Sequence, residues 1–246
     1  MVSRFQRRIA LRLLAFLGAA SSGFAAHGAT VVLWPVNPTI AADQQASALW
    51  LENRGDVPVT LQVRAFGWTQ AAGSDRYDDQ DEVVSSPPIA TVAPGKRQLV
   101  RIIRRAGSAQ KGERSYRLLI DQLPPPPAEK PDKEPSAHLS IQMRYSIPLF
   151  TYGEQPAAEF ASNLSARVTI VDGRRFVEIR NIGAKHARLV NLRLVNGVQH
   201  FDVTTGLVGY VLPGATMRWP LPSDAPLAGA FLVNVNGADQ QLSPNA

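Results

Sequence analysis

The chain has 246 residues, of which 45% are hydrophobic and 19% are charged, and its formal net charge is +6. This composition favours a globular protein with a substantial core, in one large or two ordinary domains. The sequence contains no cysteine, which excludes disulfides, thiol chemistry and thiolate metal sites.

Residues 1–29 have the features of a secretory signal peptide. Four arginines lie in and beside a short apolar run, which is followed by small residues. The run is shorter than the roughly 20 apolar residues that span a bilayer. We therefore predict a mature chain that begins between residues 26 and 30; an uncleaved membrane anchor is the alternative.

The net charge depends strongly on this segment. Without its four arginines the chain has 22 basic and 20 acidic residues, a net charge of +2. The positive charge of the whole chain is therefore weak evidence for a nucleic-acid partner, and none is predicted.

After residue 45 the sequence alternates apolar and polar residues in short segments, first at 47–52 and 59–66. A period of two predicts half-buried β-strands. Further strands are predicted at 98–104, 116–123, 139–150, 167–171, 176–180, 187–194, 210–212, 216–221 and 231–235. Turn-forming residues lie between many of them: Pro94-Gly95, Asp172-Gly173, Asn196-Gly197 and Pro213-Gly214.

Many short strands and no amphipathic helix predict an all-β fold of two immunoglobulin-like β-sandwich domains in tandem. The turn-like segment 152–156 is the best place to divide them. We predict an N-terminal domain over residues 30–151 and a C-terminal domain over residues 152–246.

Two segments look irregular. The acidic stretch 75–82 lacks the glycine and the terminal glutamate of a calcium loop, so a solvated loop is predicted there. The proline-rich and charged stretch 124–135 predicts a long mobile loop between two strands.

No pattern of catalytic chemistry is present in the sequence. The four histidines are scattered, and nucleophile elbows, dinucleotide-binding glycine motifs and phosphate-binding glycine loops are absent. We therefore predict no enzyme activity, no catalytic residues, no metal site and no cofactor.

Four segments occur in an order that resembles the PapD-like periplasmic chaperones of chaperone–usher pili. They are VSSPP at 84–88, APGKRQLVR at 93–101, YRLLIDQLP at 116–124 and YSIPLF at 145–150. Two others, LWPVNP at 33–38 and ALWLENRG at 48–55, look most like the archaic branch of the family. In the C-terminal domain only FVEIRN at 176–181 and HARL at 186–189 carry the resemblance.

The resemblance implies a periplasmic chaperone that stabilises pilus subunits by donor-strand complementation and delivers them to an outer-membrane usher. The subunits lack a strand, and the chaperone adds the last strand of its first domain to the gap. Here Leu139, Ile141, Met143 and Tyr145 would face one way and fill the subunit's pockets. A role confined to the chaperone's own core is the alternative.

Two implied features of the family are altered or incomplete here. The family anchors the subunit's terminal carboxylate with two basic residues at the base of the cleft, but the matching positions hold Asn37 and Pro148. Arg144, Arg101 or Arg117 could supply the charge instead. Arg101 and Glu113 match residues of an interdomain ion-pair network in the family, and a surface pair is the alternative.

Two other classes of β-rich protein are alternatives. A pilus subunit or adhesin would have one incomplete sandwich with an exposed N-terminal extension, whereas this chain continues directly into residues 33–40. A carbohydrate-binding protein would have an aromatic platform, and the four tryptophans lie on different predicted strands.

Overall fold

The computed structural model describes residues 31–105, 111–124, 141–154 and 161–243. These ranges contain β-strands and turns, and no helix. No helix long and apolar enough to cross a bilayer is therefore found in them.

The strands are short and follow one another closely along the chain. Their bounds are β1 Val31–Trp34, β2 Thr39–Ile40, β3 Ala46–Asn53, β4 Val59–Ala71, β5 Ser74–Asp78, β6 Val83–Ser86, β7 Ile89–Val92, β8 Arg97–Arg104, β9 Glu113–Leu123, β10 Arg144–Tyr152, β11 Leu164–Val171, β12 Arg174–Asn181, β13 Ala187–Asn196, β14 Gln199–Val211, β15 Thr216–Pro220, β16 Ala230–Val235 and β17 Ala238–Leu242.

Strands β1 to β10 form two sheets, which we call the first sandwich. Sheet I has the order β1-β3-β8-β6, and sheet II has the order β2-β10-β9-β4-β5 with β7 paired to β4. Alternate residues of each strand point inward, as in β4, where Val59, Leu61 and Val63 are buried. The inward side chains of the two sheets form one continuous hydrophobic core.

Strands β11 to β17 form a second sandwich. Sheet III has the order β11-β12-β15, and sheet IV has the order β14-β13-β16-β17. Its core contains Leu189, Leu194 and Phe231, each fully buried. The tandem β-sandwich fold predicted from the alternation is confirmed, and the predicted boundary after residue 151 lies at the end of β10.

Both sandwiches contain the same asparagine arrangement at the end of a central strand. In the first, the buried Asn53 side chain donates to the carbonyls of Val57 and Val92 and accepts from the Gly55 N–H. These bonds fix where β3 ends and how the Pro94-Gly95 turn, which lies between β7 and β8, packs against it.

In the second sandwich, Asn181 makes the corresponding bonds, to the carbonyls of Lys185 and Val211 and from the Gly183 N–H. The backbone contacts repeat as well: Gly95 N–H donates to Asn53 C=O, and Gly214 N–H donates to Asn181 C=O. The two sandwiches thus use one local arrangement twice.

The structure corrects two expectations from the sequence. Half of the acidic stretch 75–82 is an exposed strand rather than a loop: residues 75–78 belong to β5, because the chain reverses through the positive-φ residues Ala72 and Gly73 and pairs β5 with β4, while residues 79–82 lie outside the strands. Trp34 and Trp50 lie on different strands but are directly opposite, and their rings stack with centroids 6.1 Å apart. A position on different strands therefore does not prevent these two tryptophans from pairing.

Candidate functional site

The candidate site is the outer edge of β10. By the resemblance, this is the strand that the chaperone would add to a subunit. On its inner side β10 pairs with β9 along its whole length. On its outer side β2 pairs with it only at Phe150 and Thr151. Within the ranges that the structure describes, no other strand pairs with β10. We call the outer side of Arg144 to Pro148 the open edge.

Backbone groups of alternate residues point toward the open edge. Phe150 donates its N–H across this edge to the Pro38 carbonyl, at 3.4 Å. In an antiparallel pair the backbone groups of every second residue point the same way, so those of Arg144 and Ser146 are also directed outward. Pro148 presents only a carbonyl, because proline has no N–H. The open edge can therefore accept a further strand by backbone hydrogen bonds.

The odd-numbered side chains of β10 face the core of the first sandwich. Ile147 and Leu149 are buried there. Tyr145 is half-buried and packs against the same cluster, and its hydroxyl donates to the Val31 carbonyl at 3.5 Å. Burial raises the pKa of this phenol above its usual value. Tyr145 therefore closes the core at the point where β1 and β10 approach each other.

Ile141 and Met143 continue this odd-numbered face beyond the closed core. The Gln122 N–H donates to the Met143 carbonyl at 2.9 Å, which extends the pairing with β9 past the start of β10. Ile141 is 67% exposed and Met143 is 43% exposed. Natural sheet edges are usually protected by charged residues, whereas this edge is flanked by exposed apolar side chains. The predicted donor residue Leu139 lies outside the described residues, as does the proline-rich stretch from residue 125 onward.

The two predicted cleft-base positions differ in exposure. Asn37 is exposed between β1 and β2, whereas Pro148 is buried in β10. Pro148 lies directly opposite Arg117 of β9, so their side chains project from the same face of sheet II. Arg117 therefore lies beside the place at which the family carries its basic residue.

The other two candidate arginines are less well placed. Arg144 is exposed and paired with Asp121, which also accepts a bond from Arg64 at 2.7 Å. Burial would raise the pKa of Asp121, but these two guanidinium groups hold it below its usual range. Arg101 is exposed on β8, in the other sheet.

The guanidinium of Arg117 is held against aromatic rings. Its carbon lies 3.8 Å from the centroid of Trp68 and 5.7 Å from that of Tyr210. Its Nε is buried and has no hydrogen-bond acceptor among the described residues. A buried cationic donor without an acceptor is costly, so an acceptor that reached it would be stabilising.

The ion pair suggested for Arg101 and Glu113 does not form. Glu113 does bridge the two sandwiches, but its partner is His186 of the second sandwich: the His186 Nδ1 lies 2.8 Å from one carboxylate oxygen, and its backbone N–H donates to the other at 3.0 Å. Arg101 lies on the outward face of sheet I, because its neighbours Val100 and Ile102 face the core.

The contact between the sandwiches, which we call the junction, contains aromatic residues that the sequence did not reveal. The rings of Phe150 and His186 stack at 3.5 Å with an interplanar angle of 4°. Trp68 of β4 packs edge-on against Tyr210 of β14, with centroids 5.5 Å apart. Trp68 and Phe150 thus belong to the core of the second sandwich. For Trp68, the signal that could have found it is the unusual length of β4; Phe150 lies on β10 and has no such signal.

The side chain of Gln70 adds a polar contact to the junction. Its amide nitrogen donates to the Tyr210 carbonyl, and its amide oxygen accepts from the Leu212 N–H, both at 2.9 Å. The Gln70 amide therefore bonds the backbone at the end of β14 in the way that a neighbouring strand would. These contacts hold the open edge in a defined position relative to the second sandwich.

A cleft of about 630 Å³ lies beside the junction. On its wall the Tyr116 hydroxyl donates to Glu82 at 2.6 Å, and Arg114 pairs with the same carboxylate. The bonds from Tyr116 and Arg114 lower the pKa of Glu82. Burial and the bond to Glu82 raise the pKa of Tyr116 to about 12. The polar groups of the wall thus bond one another. No cluster of three or more potential metal ligands occurs in the described ranges.

The first sandwich matches a known protein family. Residues 31–156 match the family described as pili and flagellar-assembly chaperone, PapD N-terminal domain. No curated protein shows significant similarity to the chain.

Several solved structures are similar to the chain. One is from the complex of the CsuC chaperone with the tip subunit CsuE, from archaic chaperone–usher pili of Acinetobacter baumannii: 28% identity, TM-score 0.73, with 89% of this chain and 100% of that chain covered. The Pseudomonas aeruginosa CupB2 chaperone has 17% identity and a TM-score of 0.61 over 87% of this chain and 100% of its own. The complex of SafA pilin with the SafB chaperone of Salmonella enterica gives 18% identity and a TM-score of 0.58, with 89% and 97% covered.

Proposed function

The chain belongs to the PapD-like family of pilus chaperones, and from that premise we propose that it is a periplasmic chaperone that captures pilus subunits by donor-strand complementation. It would hold each subunit along the open edge and deliver it to an outer-membrane usher. The family is a chaperone family rather than an enzyme class, and the catalytic patterns sought in the sequence are absent. The alternative of a subunit or adhesin loses support, because the family match covers the first sandwich.

One observation carries the proposal: Ile141 and Met143 are exposed beside the open edge, where no described strand pairs with the outer side of Arg144 and Ser146. A subunit that lacks a strand exposes an apolar groove bordered by unpaired strand edges. Adding β10 would satisfy those backbone groups, and the alternating side chains would fill the groove. The A. baumannii structure contains a chaperone with a tip subunit, which supports the same partner class for this chain.

We further propose that Arg117 binds a carboxylate of the captured subunit. The side chain lies opposite Pro148, has a buried Nε without an acceptor, and is held in place by Trp68. Arg144 is already paired with Asp121, and Arg101 is on the other sheet. Of the three arginines, Arg117 is therefore the best placed, because it lies beside Pro148 and its Nε has no acceptor among the described residues.

The direct test is co-expression of the chain with the subunit genes adjacent to its own, followed by purification from the periplasm. A stoichiometric complex, and subunits that are degraded when the chain is left out, are expected. Subunits that remain equally abundant and folded without the chain would refute the chaperone function.

The role of Arg117 is tested in the same assay. Arg117→Gln removes a charge-assisted hydrogen bond, so capture should weaken about 10- to 100-fold. Arg117→Lys should retain part of the affinity, because it keeps the charge but not the planar geometry. Arg101→Gln removes the same charge from sheet I and is the control. Equal effects at Arg117 and Arg101 would contradict the assignment.

A further inference from the structure

One methionine lies on the apolar face beside the open edge. The chain has three methionines and no cysteine. Met1 belongs to the predicted signal peptide, outside the described residues, and Met217 of β15 packs against the core of the second sandwich. Met143, just before β10, is 43% exposed. Of the methionines in the described ranges, Met143 is therefore the more accessible to small molecules in solution.

The thioether of an accessible methionine reacts with peroxides. The sulfur lone pair attacks one peroxide oxygen, and the O–O bond breaks. The other oxygen leaves as hydroxide and takes the hydroxyl proton of the first, which forms water. The sulfur is thereby oxidised to a sulfoxide, and the peroxide is reduced. No cysteine thiolate competes for the oxidant in this chain, so methionine is the side chain that a peroxide attacks first.

The neighbours of Met143 on the same face do not share this chemistry. Ile141 has a pure hydrocarbon side chain, and the Tyr145 hydroxyl bonds the Val31 carbonyl at the rim of the core. Oxidation of Met143 places a polar, chiral group in this row. Its backbone carbonyl accepts from the Gln122 N–H at 2.9 Å, a contact that does not involve the sulfur. Oxidation therefore changes the apolar face beside the open edge but not the pairing of this segment with β9.

We propose that Met143 is an oxidation-sensitive site, at which a peroxide forms a sulfoxide that disables capture of a subunit while the chaperone stays folded. The effect on capture rests on the proposed function, in which this side chain fills an apolar pocket. There the sulfoxide oxygen would be buried without a donor, which lowers the affinity about 5- to 100-fold. In the free chaperone the same oxygen has access to water. A bound subunit covers the sulfur, so capture in turn protects Met143 from the oxidant.

The first measurement is made on the purified protein without a subunit. After brief treatment with hydrogen peroxide, peptide mass mapping should show the sulfoxide forming several-fold faster at Met143 than at Met217. Circular dichroism and thermal melting should remain those of the untreated protein. Equal rates at the two methionines, or loss of the fold on oxidation of Met143, would overturn the proposal.

The second measurement is capture of the subunit encoded next to the chain's own gene, released from the co-expressed complex in denaturant and diluted into the chaperone. Peroxide treatment should lower capture about 5- to 100-fold, and methionine sulfoxide reductases, one for each epimer, should restore it. In the preformed complex, oxidation should slow several-fold at Met143 and stay unchanged at Met217. Oxidised chaperone that captures as well as untreated chaperone would refute this inference alone. Failure of the untreated chaperone to capture would refute the proposed function, and the effect on capture with it.

Substitutions at the two methionines locate the effect. Met143→Leu keeps an apolar side chain without the sulfur, so peroxide should not lower its capture, whatever its starting affinity. Met143→Gln places a polar group at the same point and should capture weakly without any oxidant. Met217→Leu removes the other described methionine and should keep both the capture and its loss on oxidation. If Met143→Leu stays sensitive, or if Met217→Leu becomes resistant, another residue carries the effect and the proposal is wrong.

Discussion

Replacing Ile141 separates binding of a subunit from stability of the chaperone, because this side chain lies outside the chain's own core. Ile141 is 67% exposed, so Ile141→Asp should change the free energy of unfolding of the chaperone by less than about 0.5 kcal/mol. In a subunit's apolar groove the same aspartate would be an unpaired charge, which costs several kcal/mol. Capture should therefore fail while the chaperone remains folded.

A milder change at the same position gives the magnitude of the apolar contact. Burial of a whole isoleucine side chain contributes about 1.5–3 kcal/mol. About two thirds of Ile141 remains to be buried, so the contact contributes about 1–2 kcal/mol. Ile141→Ala should lower the affinity for a subunit by up to about 5- to 30-fold.

The assay combines thermal melting of the purified chaperone with recovery of the subunit complex from the periplasm. Gln142→Asp introduces the same charge on the opposite face and should have a clearly smaller effect on capture. Ile147→Asp places the charge in the chaperone's core and should unfold it. A folded Ile141→Asp variant that still protects subunits would refute donation through this residue, and an unfolded one would instead support a role in the chaperone's core.

Three other predictions concern processing and stability. N-terminal sequencing of periplasmic protein should find a start between about residues 26 and 30; full-length protein in the membrane fraction would contradict this. Asn53→Ala and Asn181→Ala should each cost about 2–3 kcal/mol, and hydrogen exchange should show the loss mainly in the sandwich that carries the substitution; equal loss in both would show that the arrangement is not local. Burial raises the pKa of Glu178, but the bonds from Arg218 and Arg167 lower it by more, so the pKa lies below its usual value. The contribution of ionised Glu178 to the free energy of unfolding is present above the unfolded pKa, near 4.5, and is lost as the pH falls through the folded pKa. Glu178→Gln should therefore cost about 1 kcal/mol at neutral pH and nothing in strong acid. Denaturant titrations that show the same difference at both pH values would argue against this.

Most strands could be predicted, because the alternation of buried and exposed residues appears in the sequence as an alternation of apolar and polar residues. Predicted segments such as 98–104, 187–194 and 231–235 lie on β8, β13 and β16. The strand β5 was not predictable in this way, because all five of its residues are exposed and its formation depends on pairing with β4. For the same reason the long strand β14 was recognised only at its last residues.

The candidate site was predictable only in part. The alternation of Ile141, Met143 and Tyr145 could be recognised in the sequence, but the sequence does not show that the core ends at Tyr145 and leaves Ile141 and Met143 exposed. The Glu113–His186 pair could not be predicted, because its residues lie 73 positions apart and belong to different sandwiches. The repeated asparagine was visible as Asn-x-Gly at 53–55 and 181–183, but its role needs the tertiary contacts, which run to the distant Pro-Gly turns at 94–95 and 213–214.

The position of Pro148 limits how far a guest strand can extend along β10. Residues on its two sides differ: β2 occupies the edge at Phe150, whereas Ser146 and Arg144 face outward with no strand of the described ranges beside them. A guest that extends toward the junction finds no N–H at Pro148 and then meets β2. If a guest strand binds the open edge as proposed, its ladder of backbone bonds would end there. Pro148 would then align the guest's pockets with Met143 and Ile141 and disfavour registers shifted toward the junction.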